Sequence, residues 1–244
     1  MNINQTFEKL QEIRLHGFLQ AYRQLYETGK ASQFNVDELI AHLVDAEYDD
    51  RYNRKLARLL KAAGLKQQAS FEQIDFTAAR GIDKTLLLRL QTCDWIHKSR
   101  DLLITGSTGV GKSFIACALG HLACTLHIKV MYTTTNKLID KLRYAKADGS
   151  YRKEIIKIQK QELLILDDFG LKALDEQART FLLEIIDDRH GLRSTIITSQ
   201  IPVNQWYDII GEPTIADAIM DRIVHGSYRL KLEGESMRKM RNED

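Results

Sequence analysis

Eight consecutive residues constrain this chain more than any others: Gly106-Ser107-Thr108-Gly109-Val110-Gly111-Lys112-Ser113 satisfies the pattern G-x-x-x-x-G-K-[ST]. The pattern has meaning only between a strand and a helix, and both flanks fit. Asp101 to Thr105 reads as a short apolar strand, and Lys112 to about Leu126 as a helix. In that setting the glycines let the backbone wrap closely round an anion, while N–H groups at the helix start and the helix dipole favour negative charge. Lys112 then reaches the β- and γ-phosphates of ATP, and the Ser113 hydroxyl binds its magnesium ion.

A nucleotide site of this kind needs an acidic partner for the metal. Leu163-Leu164-Ile165-Leu166-Asp167-Asp168 is an apolar run closed by two carboxylates, the pattern of a buried strand with charge at its C-terminal edge. In an open parallel sheet that edge is also where the phosphate loop emerges. Asp167 is expected to hold magnesium through water from an adjoining strand, and Asp168 to orient or deprotonate the attacking water. The alternative, a simple turn before Gly170, weakens once a phosphate loop is present. Ser194 to Thr198 forms a further strand, ending in Thr198-Ser199-Gln200. One of these polar groups can bond the γ-phosphate or the lytic water, or all can be ordinary turn residues before Pro202. Arg222, in a helical pattern after Pro213, is either half of a solvated surface pair or an arginine finger reaching a neighbouring subunit's nucleotide.

Between these motifs strands and helices alternate: strand Lys129 to Tyr132, helix Asn136 to Arg143, strand Leu163 to Leu166, helix Gln177 to Arg189 and strand Ser194 to Thr198. Such alternation predicts an α/β fold, a parallel sheet with helices on both faces. Residues 1–70 read differently. Apolar residues recur at helical spacing from Gln5 to Tyr26, and again from Asp37 toward Leu60 with Gly64 closing the pattern. A small all-helical domain over residues 1–68 therefore precedes the ATPase domain, residues 69–244.

Hydrophobic residues at 44% and charged residues at 28% match ordinary folded proteins and argue against disorder. No apolar run approaches the roughly 20 residues that cross a bilayer, so no membrane partner is expected. Cys93, Cys117 and Cys124 form no C-x-x-C pair, which argues against a disulfide framework or a zinc site and fits a reducing cytoplasm. The net charge of +2 does not announce nucleic-acid binding, so only local clustering can. Arg51, Arg54, Lys55, Arg58, Lys61 and Lys66 supply it, in a stretch without acidic residues and interleaved with Tyr52, Leu56, Leu59 and Leu60. A phosphate-binding stripe needs that arrangement, although a solvated amphipathic helix also has it. Nothing in it resembles a base-reading code, so contacts to duplex DNA are expected to be independent of sequence.

Phe7-Glu8-Lys9-Leu10, Arg14-Leu15-His16-Gly17, Asn53-Arg54-Lys55-Leu56, Asp94-Trp95-Ile96, Leu166-Asp167-Asp168-Phe169-Gly170, Thr198-Ser199-Gln200, Asp221-Arg222-Ile223 and Gly234-Glu235-Ser236-Met237-Arg238 follow one another in a specific order and spacing. Together they make the chain resemble, over nearly its whole length, the IstB-like insertion-sequence ATPases, AAA+ helpers of a transposase close to the DnaC-type helicase loaders. The resemblance implies a P-loop AAA+ fold, with Lys112 and Ser113 at the Walker A positions and Asp167 and Asp168 as the Walker B pair. It also implies Thr198 or Ser199 as sensor one, Arg222 as the finger, Arg238 as a second phosphate-sensing arginine, and basic-helix contacts to DNA through Arg51, Arg54, Lys55, Arg58 and Lys61. A homo-oligomer completing its active site in trans and a cognate transposase are the implied partners. Two features depart from the wider AAA+ pattern. Asp168 stands where glutamate is commoner, which implies slow hydrolysis, and the 12 residues after Leu232 are too few for a helical lid.

Three functions compete at this point: a DNA-remodelling transposition helper, a helicase loader of DnaC type, and a small-molecule kinase. The kinase needs a lid or an acceptor pocket, and the sequence suggests neither.

Overall fold

The computed structural model describes residues 2–76 and 81–237. The chain divides into two compact units, Met1–Arg58 and Leu59–Asp244.

The first unit is helical. The Gln5 to Tyr26 pattern, expected as one helix, is two: α1 (Ile3–Glu12) and α2 (His16–Thr28). The break falls at Arg14, in the left-handed region at φ 62°. Helix α3 (Val36–Ala63) starts at a reciprocal capping box, in which the Asn35 side chain accepts from the Glu38 N–H and Glu38 accepts from the Asn35 N–H. Glu47 of α3 is 7% exposed and reaches the start of α2, accepting from the N–H groups of Gly17 (2.9 Å) and Phe18 (3.2 Å). A carboxylate at a helix N-terminus satisfies donors that have no partner within the helix. A Cβ at position 17 would fall 2.7 Å from the Asp50 Cβ, so glycine is what allows α2 to approach α3. Helix α3 ends at Ala63, and Gly64 follows with a φ of +62° that suits glycine.

The second unit runs α4 (Lys84–Leu90), α5 (Asp94–His97), β1 (Leu102–Gly106), α6 (Lys112–Thr125), β2 (Val130–Thr134), α7 (Thr135–Ala147), α8 (Tyr151–Gln159), β3 (Leu163–Phe169), α9 (Glu176–Arg189), β4 (Ser194–Ser199), α10 (Trp206–Ile210), α11 (Pro213–Val224) and β5 (Tyr228–Leu232). The described residues form one parallel five-stranded sheet in the order β2-β3-β4-β1-β5. Leu102 to Ile104, Leu163 to Leu166, Ile196 and Ile197 are at most 1% exposed. Their unbroken apolar character follows, because helices cover both faces of a parallel sheet.

One expectation about the site needs correcting. Asp167 does not lie on a strand adjoining β1, since β4 runs between β1 and β3. The carboxyl end of β4 therefore separates the phosphate loop from the acidic pair. At the end of β3 the pairing with β4 shifts register between Leu166 and Phe169, and Asp168 takes φ 58°. Phe169 then turns inward against Trp206, ring centroids 4.6 Å apart.

Candidate functional site: the phosphate loop and its acidic pair

The loop Gly106–Ser113 leaves β1 and enters α6, as its sequence requires. Gly109 (φ 88°) and Gly111 (φ 102°) hold conformations that L side chains rarely adopt. A Cβ at Gly109 would also lie 2.7 Å from the Ser236 Cβ, and the Met237 N–H donates to the Gly109 carbonyl at 3.0 Å. The chain after β5 thus returns to rest on the phosphate loop. Arg238, the next residue, lies outside the described residues.

Lys112 is 6% exposed, and its ammonium donates to the carbonyls of Gly106 (2.8 Å) and Ser107 (2.7 Å) within its own loop. Burial lowers its pKa, and the carboxylates of Asp168 and Asp167 pull the other way.

Asp167 is fully buried and saturated with donors. Its Oδ1 accepts from Ser113 Oγ at 2.9 Å and from the Thr198 hydroxyl; its Oδ2 accepts from the Tyr132 hydroxyl and, at 3.5 Å, from Lys66 Nζ. Burial raises the pKa of this carboxyl, but the bonds from Thr198, Tyr132 and Ser113 and the charge of Lys66 outweigh it, leaving the group below its ordinary range. Tyr132 responds oppositely: burial and the facing carboxylate push its phenol far up, so it remains a donor.

Asp168 behaves differently from its neighbour. Along a regular strand, successive side chains alternate faces. The irregularity at the end of β3 instead brings Asp168, 26% exposed, to a 370 Å³ cavity that it lines with Thr108, Lys112, Ser113 and Gln200. The Asp168 N–H donates to Thr198 Oγ1 at 3.1 Å, so a single hydroxyl holds both acidic residues. Ser199 does something else: its Oγ donates to the Phe169 carbonyl (2.7 Å) and accepts from the Ile201 N–H (3.1 Å).

The structure brings together Lys112, Ser113, Asp167, Asp168 and Thr198. It adds Tyr132, Lys66 and Gln200, whose Oε1 accepts from Thr108 Oγ1 at 2.7 Å. Lys66 belongs by sequence to the basic stripe, yet it stands on the acidic pair, 3.5 Å from Asp167 and 3.8 Å from Asp168. The signal for that is Gly64, which ends the helix before Lys66.

Arg222 does not join this group. Its Nε donates to Asp187 at 2.7 Å and its Nη1 to the Ala218 carbonyl at 2.8 Å. It lines a separate hollow with Asp101 and His190, which precede β1 and β4, at the sheet edge opposite the phosphate loop. The basic residues of α3 are exposed, and Arg51 pairs with Glu47 (2.5 Å) and Arg54 with Asp50 (2.7 Å). Lys55, Arg58 and Lys61 make no ion pair among the described residues. No helix among the described residues is long and apolar enough to cross a membrane.

Comparison with known proteins agrees with this geometry. An insertion sequence ATP-binding protein of Sinorhizobium fredii is 46% identical over 234 residues, covering 96% of each chain. The insertion sequence IS1162 ATP-binding protein of Pseudomonas fluorescens is 42% identical over 203 residues, covering 83% of this chain and 88% of that one. Among solved structures, DnaI matches with a TM-score of 0.59 at 21% identity over 72% of this chain and 93% of its own. The DnaC helicase loader matches at 0.52 and 22% identity over 72% and 98%. These likenesses show the fold, which the chain shares with DnaI and the DnaC helicase loader. The family model described as IstB-like ATP binding protein matches residues 8–244, and the chain belongs to that family of ATP-binding proteins.

Proposed function

We propose that the chain is an ATP-dependent transposition helper, whose assembly on target duplex DNA recruits or activates its transposase. The observation that carries the ATPase part is the bonded series Ser113–Asp167–Thr198–Asp168 beside the phosphate loop. Magnesium fits this donor set, because Ser113 and Asp167 offer hard oxygen ligands. Among the described residues no three acidic, histidine or cysteine side chains cluster as a metal cage. Nucleotide oxygens and water would therefore complete the shell, as is usual for this ion. When bound, magnesium supplies neutralising charge to the β- and γ-phosphates.

The chain's own groups do the rest. Backbone N–H groups of residues 106–113 hold the phosphates, and Lys112 turns from its loop carbonyls to the β,γ oxygens. Asp168, already lining the cavity, orients the attacking water and accepts its proton. Thr198 fits the sensor-one role better than Ser199, because its hydroxyl touches both acids. The short carboxylate of Asp168 supports slow turnover that DNA or a partner stimulates. Arg222, at the opposite edge of the sheet, suits a finger that serves the nucleotide of the adjacent subunit, and therefore an oligomer.

For the helical domain, residues 1–68, the exposed cations of α3 support backbone contacts to duplex DNA. The naming of its relatives as insertion sequence proteins supports a transposase as partner. A second reading, a helicase loader of DnaC type, is favoured by the fold match to the DnaC helicase loader. Pull-down of the full chain with ATP against a transposase and against a replicative helicase separates the two. Electron microscopy with ATP and duplex DNA tests assembly: nucleotide-dependent oligomers on DNA are expected. Monomers on DNA with transposase unbound would overturn the proposal.

A further inference from the structure

Lys66 is placed with care for a residue that the phosphate-loop motif does not require. Helix α3 ends at Ala63, Gly64 turns the chain, and the following segment packs on α6. A Cβ at Gly120 of α6 would fall 3.0 Å from Leu65 Cδ2, so glycine there makes room for Leu65. The Cys117 side chain lies against the backbone of Gln67 and Lys66. Anchored in this way, the Lys66 ammonium stands 3.5 Å from Asp167 Oδ2 and 3.8 Å from Asp168 Oδ2. Its side chain remains 46% exposed and so has solvent to move into.

Two carboxylates that both reach one ammonium repel each other, and the shared cation relieves the repulsion. A divalent ion seeking Asp167 needs the same carboxylate edge. Monovalent and divalent cations therefore compete there. We propose that Lys66 is a metal-competing cation of the nucleotide site: its ammonium neutralises Asp167 and Asp168, and uptake of a divalent ion with nucleotide displaces it. This inference rests on the reading of Ser113 and Asp167 as metal-holding groups. While Lys66 is in place it holds the Asp168 carboxylate in a pair and lowers its availability to a water, so the acid that drives hydrolysis becomes free only when metal arrives. Lys66 is thus a positioning residue, acting through Asp167 and Asp168.

The test uses Mn2+ alone as probe on the nucleotide-free full chain, with free Mn2+ read by electron paramagnetic resonance. Removing an exposed charge of this kind should tighten Mn2+ binding about fivefold in Lys66→Ala. Lys66→Gln should behave likewise, whereas Lys66→Arg should resemble the unaltered protein. In an Asp167→Asn background the gain should vanish, since the two side chains act on one site. Unchanged or weaker Mn2+ affinity in both Lys66→Ala and Lys66→Gln overturns the inference, as does a gain that persists undiminished with Asp167→Asn. If Asp167→Asn alone fails to weaken Mn2+ binding, the metal-site reading itself has failed, which is a separate result.

Discussion

The Oγ of Ser113 donates to Oδ1 of Asp167 across 2.9 Å, joining the first turn of α6 to the end of β3 although β4 runs between β1 and β3. Thr198, at the end of that intervening strand, closes the gap by bonding the same oxygen and the Asp168 N–H. The phosphate loop and the two acidic residues are thereby held by one small set of hydroxyls.

Asp168→Asn should bind nucleotide as the unaltered protein does and lose turnover by about 100-fold, the usual weight of a general base. The fold should survive, since the Asp168 backbone rather than its side chain makes the bond to Thr198. Steady-state phosphate release beside a fluorescent-nucleotide titration checks both halves. Equal hydrolysis rates would remove Asp168 from this role.

Thr198 and Ser199 should separate cleanly. Thr198→Val is expected to cut hydrolysis at least about tenfold, about 1.4 kcal/mol of transition-state stabilisation, with nucleotide affinity little changed. Ser199→Ala loses the bonds to Phe169 and Ile201 and should cost about 1 kcal/mol of stability while leaving turnover intact. Chemical denaturation and phosphate release on both variants decide it; the reverse pattern would exchange the assignments.

Arg222→Ala should bind nucleotide and hydrolyse poorly in the assembly. Its pairing with Asp187 is exposed at 61% on the acid side, so the loss of that pair should matter little to stability. Mixing Arg222→Ala with Lys112→Ala should restore activity, because each subunit supplies what the other lacks. Normal hydrolysis by Arg222→Ala alone would rule out the finger.

Protonation of Asp167 sets a pH dependence. An unfolded chain takes up this proton near pH 3.9, whereas the folded site, although burial opposes ionisation, keeps the carboxylate to lower pH through Thr198, Tyr132, Ser113 and Lys66. Ionised Asp167 therefore stabilises the fold above about pH 4, and that contribution disappears as pH falls through the folded value. The stability gap between the unaltered protein and Asp167→Asn, measured in urea, should narrow from about pH 6 to about pH 3. A gap independent of pH would contradict the bonding described here.

On α3, replacing Lys55, Arg58 and Lys61 with alanine should weaken duplex binding regardless of sequence. Fluorescence anisotropy across a salt series should show the slope of log affinity against log salt becoming shallower by about 0.9 for each DNA phosphate left without its cation. An unchanged slope would show that these three cations do not meet DNA phosphates.

Much of the site is legible in the sequence because its signals are local. The phosphate loop, the apolar run before Asp167 and the strand ending at Thr198 each announce themselves within a few residues. Strand order is different: it depends on how each crossover packs, so nothing local shows that β4 separates β1 from β3 or that Tyr132 faces Asp167. The break between α1 and α2 is hidden because an arginine, not a glycine, takes the left-handed turn at residue 14. Helix α8 is hidden too, its short run of mixed charge and isoleucine having no clear boundary. Lys66 escapes for a related reason, since a run of like charge invites one interpretation even when Gly64 divides it.

Everything proposed for this chain depends on the loop Gly106–Ser113 binding a metal nucleotide through Lys112, Ser113 and Asp167. Calorimetric titration of ATP into the full chain, with magnesium and again with EDTA, decides that point, with Lys112→Ala alongside. Saturable binding that strengthens with magnesium and is lost in Lys112→Ala is the expected result. Absence of binding in the unaltered protein, or equal binding by Lys112→Ala, would refute it.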